Sequence, residues 1–212
     1  MKVNFVNKIF LAVGVVLLAA IAWKIIKFQS WNRYYYAASV SAPQSFPVFV
    51  REIYFTTADD NVWMDTEKVN GFNSSWAQED YFPDVHESNL LPEKIVLKYA
   101  SFREGSFYSD TIPLPADKLK AAVDAAFKNN NTVDIYFNGM QKTGLSFLVG
   151  IANNGNIIIW LTGAKQTIEI MRAKINAKPP GAEDLYYGGD MSKSEYLKDR
   201  FSMLSDSMKT LI

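Results

Sequence analysis

The chain contains no cysteine. Disulfides, thiolate nucleophiles and cysteine-held metals are excluded, and no lipid can be attached through a cysteine. Histidine occurs once, as His86. A single imidazole forbids any two-histidine metal site and leaves one candidate for the base of a triad. No G-x-x-x-x-G-K phosphate loop occurs, and no dinucleotide fingerprint follows a strand, so no cofactor is expected. A surplus of basic charge is missing too, with 22 Lys and Arg against 22 Asp and Glu. Lys2, Lys8, Lys24 and Lys27 fall in the first 27 residues, which hold no acid, leaving 18 basic against 22 acidic side chains beyond them. Such a domain lacks the basic surface that displaces counterions from nucleic acid, and no nucleic-acid partner is expected.

What is present begins with "KIFLAVGVVLLAAIAWKIIKF". Ile9 to Trp23 carry no charge, and Ile25 and Ile26 extend the run past Lys24. Eighteen residues at ~1.5 Å each give roughly 27 Å, just short of a ~30 Å hydrocarbon core. Lys24 can snorkel beside Trp23 at the interface. The rival reading is a cleaved signal peptide with Lys2 and Lys8 as its charged start and Ala20-Ile21-Ala22 as its cleavage site. Cleavage there would leave Trp23 at the new N-terminus, beside a site that favours small residues. The expectation is therefore an uncleaved signal anchor over residues 1–28, in the inner membrane through residues 9–26. The remaining domain, 29–212, is expected in the periplasm, the commoner outcome for one early anchor.

Beyond the anchor, Trp31, Tyr34, Tyr35 and Tyr36 form an aromatic cluster. "VFVREIYFTT" reads as a strand over Val48 to Thr57, with a turn at Ala58 to Asn61 and a return strand through Trp63. Residues 66 to 92 lack periodicity and read as a long loop. Lys94 to Phe102 and Ser106 to Leu114 flank a short turn at Gly105. "PADKLKAAVDAAFKNN" places Leu119, Ala122, Val123, Ala126 and Phe127 on one helical face. Further strands follow in "TVDIYFNG", "LSFLVGIANNGNIIIWLTG" and "QTIEIMRAKI", with Asn153-Asn154-Gly155-Asn156 as a hairpin turn. Near the C-terminus Ser192 and Glu195 fit a capping box. Leu197, Phe201, Leu204, Met208 and Leu211 form a helical stripe that packs on the sheet or docks a partner. These elements predict an α+β fold, mainly antiparallel, of about eight strands with one central and one C-terminal helix, preceded by the N-terminal transmembrane anchor.

Candidate chemistry is sparse. "QEDYFPDVHES" gathers Glu79, Asp80, Asp84, His86 and Glu87, but not at the spacing of a calcium loop, and it reads as a solvated acidic loop. "TGLSFLVG" has Gly144 two residues before Ser146, yet Leu148 stands where a nucleophile elbow needs glycine, and the segment continues as strand. Paired carboxylates for glycoside chemistry would be spatial, and nothing in the sequence points to a substrate groove.

The landmarks Trp31, Tyr34-Tyr35, Pro43 and Phe46-Pro47-Val48 precede "IYF" and the loop from Gly71 to Trp76. With "LPEKIVLKYASFREGSFYSDTIPLP", "GIANNGNIIIWLTG" and "QTIEI", they resemble an uncharacterised family of Gram-negative envelope proteins, domain of unknown function 2931, over about residues 31 to 175. Members are typically short lipoproteins. Some are similar to proteins encoded beside type VI secretion phospholipase effectors, where a periplasmic partner serves as immunity protein. A lipoprotein would carry its modified cysteine where this chain has Ala20 to Trp23, so here the peptide itself would be the tether. The resemblance implies a non-enzymatic binding protein with no metal and a protein partner, either a toxic effector or an envelope component. Trp76, Tyr81 and Phe82 on the long loop are the expected aromatic anchors, with Asp80 and Asp84 steering association. The alternative is a structural or assembly factor of the envelope that docks through the terminal helix.

Overall fold

Asn4 caps the first helix, its side-chain oxygen accepting from the Val6 amide at 3.3 Å, and α1 runs Phe5–Phe28. The protein is described by a computed structural model over residues 4–79, 84–85, 87–179 and 192–210. At ~1.5 Å per residue α1 is about 36 Å long, enough to cross a ~30 Å hydrocarbon layer. Gln29 ends it in the left-handed region (φ 49°), and its amide closes on the Ile25 carbonyl at 3.1 Å. None of its residues is buried, and apolar side chains lie on every side of it. It is the one helix among the described residues long and apolar enough to cross a membrane. Arg33 closes this unit: its guanidinium lies 4.2 Å over the Phe28 ring and Nε donates to the Phe28 carbonyl at 2.7 Å. Met1–Arg33 and Tyr34–Ile212 are separate compact units.

In the second unit the elements are β1 (Tyr35–Ser41), β2 (Val48–Thr56), β3 (Asn61–Trp63), α2 (Glu67–Asn70), β4 (Asp84–Val85), β5 (Lys94–Ser101) and β6 (Ser106–Pro113). They are followed by α3 (Ala116–Lys128), β7 (Val133–Phe137), β8 (Met140–Ile151), β9 (Asn156–Thr162), β10 (Thr167–Lys174), α4 (Lys193–Met203) and α5 (Asp206–Lys209). The expected α+β architecture is present, with ten strands among the described residues, of which β3 and β4 are only three and two residues long.

The strands form two sheets. One has the order β3-β2-β5-β6; the other runs β10-β9-β8-β1-β4, with β7 also paired to β8. Among the described strands every pairing is antiparallel except β1 with β8, which run parallel from Tyr35↔Gly144 to Ser41↔Gly150. A parallel pair needs a crossover, and here the crossover contains the whole four-stranded sheet and α3.

Alternation sets the inward faces. In β5, Ile95, Leu97 and Tyr99 are buried to the core, and in β9 Ile157, Ile159 and Leu161 are. In β2 the inward set changes parity, from Val48 and Val50 to Ile53 and Phe55. The cause is a bulge between Val50 and Glu52, which inserts one residue and keeps the apolar side chains pointing inward. Phe55 from one sheet meets Phe147 from the other at 5.4 Å, and Leu119, Ala122, Val123 and Ala126 of α3 join the same core.

The outer face of the four-stranded sheet is covered by α4. Its capping box is formed as expected: the Ser192 hydroxyl accepts from the Glu195 amide at 3.2 Å and Glu195 Oε2 accepts from the Ser192 amide at 2.9 Å. Tyr196 is buried against Phe49, Ala100 and Phe107. The expected stripe is corrected. The chain leaves helical geometry at Leu204 (ψ 144°), so the terminal segment is two helices rather than one. The buried positions are Tyr196, Arg200 and Leu204, while Phe201 is exposed. Arg200 lies 4.3 Å over the Phe49 ring, and burial lowers its pKa. Leu211 and the Met208 side chain fall outside the described residues.

The long loop is also corrected in part. Residues 66–92 contain α2, β4 and a bridge between Tyr34 and Asn89.

Candidate functional site

Small residues stand on the outer face of the six-stranded sheet. On β8 the outward positions are Ser146, Leu148 and Gly150, opposite Thr162, Trp160 and Ile158 on β9. The segment after α2 crosses this face. Ser74 pins it to the end of β1: its hydroxyl donates to the Ala42 carbonyl at 2.9 Å and accepts from the Ala42 amide at 3.2 Å. Two residues on, the Trp76 ring meets the Trp160 ring edge-on, with centroids 5.4 Å apart at 78°. Gly150 makes room for both. A Cβ there would lie 2.6 Å from Cζ3 of Trp160 and 3.0 Å from Cη2 of Trp76.

Ala77 then adopts φ 57°, a left-handed conformation that costs a residue with a Cβ about 1–2 kcal/mol. That turn leads the backbone along a cleft of about 720 Å³, lined by Ala77, Gln78, Glu79, Leu148, Trp160, Thr162 and Thr167. The volume falls within the ~300–1,000 Å³ range of ligand-binding clefts. Among the described lining residues Glu79 alone is charged, and its Oε1 is buried without a hydrogen-bond partner. Lys68 Nζ donates to the main-chain carbonyl of Glu79 at 3.4 Å.

Of the expected anchors, Trp76 lies at this cleft with its ring partly exposed. Asp80, Tyr81 and Phe82 lie outside the described residues, as does His86. The backbone of Asp84 is paired in β4 with Ala38 of β1. Trp160, Thr162 and Thr167 were not legible as site residues. Alternation in "NIIIWLT" puts Trp160 and Thr162 on the face opposite Ile157 and Ile159, but only the long-range placement of Trp76 shows what that face meets.

A second cluster of titratable side chains among the described residues lies in a corner at the β5–β6 turn. Glu104, in the β5–β6 turn, accepts from the Tyr108 hydroxyl at 2.6 Å and from the Asn154 amide at 2.5 Å. Tyr99 stacks on Tyr108 with centroids 4.8 Å apart at 16°. Burial first, and then the bond to Glu104, pushes the Tyr108 phenol up to about 12; burial raises that of Tyr99 as well. Both phenols stay protonated through neutrality, so this corner braces the β8–β9 hairpin and supplies no phenolate. Ser146 is buried within β8, and its segment continues as strand, as expected. Among the described residues, no group of three or more His, Asp or Glu side chains could hold a metal ion.

An α+β domain of two sheets, with an outer-face aromatic cleft and an N-terminal apolar helix, defines the architectural class. The family model for "Protein of unknown function (DUF2931)" matches residues 26–206, and the chain belongs to that family. No curated protein and no solved structure matches the chain.

Proposed function

We propose that the protein is a membrane-anchored periplasmic binding protein without catalytic activity, an immunity protein that neutralises a type VI secretion phospholipase effector. The observation that carries the reading is the cleft floored by Trp160 and flanked by Trp76. Aromatic side chains held on a rigid sheet supply large contact area at little entropic cost, the pattern of binding hot spots. The apolar helix α1 supports a single-pass membrane tether; the proposed side for the domain is the periplasmic one, where a delivered lipase would act. Occlusion needs shape and anchoring groups rather than chemistry.

A second reading, an assembly factor of the envelope, draws on Phe201 and Met203, which are exposed on α4. The apolar stripe as an interface is reduced, because Leu204 is buried and Leu197 packs against Ala100, Phe107 and Tyr196.

The test uses the full chain, purified in detergent, as bait for proteins encoded beside its gene. The immunity reading expects capture of a secreted phospholipase whose activity falls as bait is titrated in. Undiminished lipase activity at saturating bait would contradict it; capture of membrane-complex components would favour the assembly factor.

A further inference from the structure

The cleft carries information about what it binds. Its seven described lining residues include one carboxylate and no lysine, arginine or histidine. Oε1 of Glu79 is buried without a hydrogen-bond partner, a condition that is costly until a donor arrives. Lys68 reaches the Glu79 main-chain carbonyl, 3.4 Å away. The floor is Trp160, and tryptophan is the ring that most favours a cation against its face. Leu148 and Ala77 provide apolar contact for an aliphatic stem, while Thr162 and Thr167 offer hydroxyl acceptors.

We propose that this cleft receives a positively charged side chain of the partner protein, an arginine or lysine whose stem lies against Trp160 and whose charged head meets Glu79. The inference rests on the binding-protein reading and deepens it by naming the chemistry of the contact. A volume of about 720 Å³ exceeds one side chain, so the flanking partner residues enter with it. The charge is complementary: a basic group at the mouth of an effector's active site would find Glu79, the one anionic residue of the described lining, with one carboxylate oxygen buried and an aromatic surface beside it. Ala77 contributes by holding the cleft wall in its left-handed turn, so that Glu79 is placed before any partner arrives.

The probes are N-acetyl-arginine methylamide, its lysine counterpart and the neutral citrulline isostere. They are titrated into the full chain in detergent micelles, with tryptophan indoles labelled with nitrogen-15. Trp160→Phe assigns the Trp160 signal. The expected result is a saturable shift of the Trp160 indole with the arginine and lysine probes, and binding of the citrulline probe weaker by about tenfold. Glu79→Gln should weaken the arginine probe by a similar factor, the scale of one charge-assisted hydrogen bond. An absent shift with both cationic probes, an equal response to citrulline, or a Glu79→Gln variant that binds as wild type would each overturn the proposal. Effector capture without an arginine response rejects this site alone. An arginine response without effector capture retains the cationic site and rejects the phospholipase as its occupant.

Discussion

Trp76 and Trp160 meet edge-on at 78° with centroids 5.4 Å apart, although 84 positions separate them in the chain. The contact exists because Gly150, on the neighbouring strand, has no side chain to stand between them. Two elements are thereby joined: a loop segment hydrogen-bonded to the end of β1, and the outer face of β8 and β9 that floors the cleft.

Gly150→Ala would place a methyl group 2.6 Å from the Trp160 ring, closer than packed atoms tolerate. Displacing the ring should cost about 1–3 kcal/mol, as overpacking does. Denaturant unfolding should show the loss, and the Trp76 and Trp160 indole resonances should move together. A variant with wild-type midpoint and unchanged indoles would mean that the rings are not held by this packing.

Ala77→Gly should have the opposite sign. Glycine adopts φ 57° freely, so removing the methyl group relieves about 1 kcal/mol of left-handed strain, less what glycine loses through unfolded-state entropy. Ala77→Val, with a branched Cβ at the same φ, should destabilise. Thermal melts of the two variants should fall on either side of wild type; melts in the reverse order would contradict the assigned conformation.

These two positions also show what the sequence does and does not convey. Local signals were readable: the β2–β3 hairpin, the β5–β6 pair around Gly105, the α3 face and the Ser192–Glu195 capping box all depend on residues close in sequence. Asn138-Gly139, with φ 50° and 74°, is a two-residue primed turn joining β7 to β8, and that dipeptide is itself a local hairpin signal. The parallel β1–β8 pairing was not readable, because nothing near Tyr35 specifies a partner at Gly144. The terminal stripe misled because periodicity continued across Leu204 while the backbone did not. The cleft needs three distant segments and so left only Trp76 as a clue.

The docking of α4 gives a third prediction. Tyr196 is among the largest fully buried side chains and packs against Phe49 and Phe107. Tyr196→Ala should cost about 3–5 kcal/mol, as removing a buried aromatic ring does. Ser192→Ala should cost about 1 kcal/mol through the lost cap. Deleting residues 192–212 should expose Phe49 and Phe107 and cause aggregation, detected by light scattering. A truncated chain that stays monomeric with wild-type stability would show that α4 is not part of the core.

Tyr108 sets a pH limit. Its phenol is raised in the folded protein from 10.0 to about 12, chiefly by burial and then by its bond to Glu104. The folded state therefore holds this proton more tightly than the unfolded chain does. The contribution is complete below pH 10 and is lost as pH rises toward about 12. Unfolding free energy should fall across that window in wild type. In Glu104→Gln the fall should be smaller and end at lower pH, because the carboxylate's contribution is gone while burial remains. Ultraviolet titration of the phenols locates the shift, and an identical titration in both proteins would remove Glu104 as a cause.

The central claim is that the cleft lined by Glu79 and Trp160, beside the Trp76–Trp160 contact, is where a partner protein binds. The most direct measurement is the affinity of the captured phospholipase for the full chain, compared with Trp76→Ala and Glu79→Gln variants of verified fold. The account predicts losses of about 2 kcal/mol or more for Trp76→Ala, as at an interface anchor, and at least tenfold weaker binding for Glu79→Gln. Both variants binding as tightly as wild type would place the interface elsewhere on the domain.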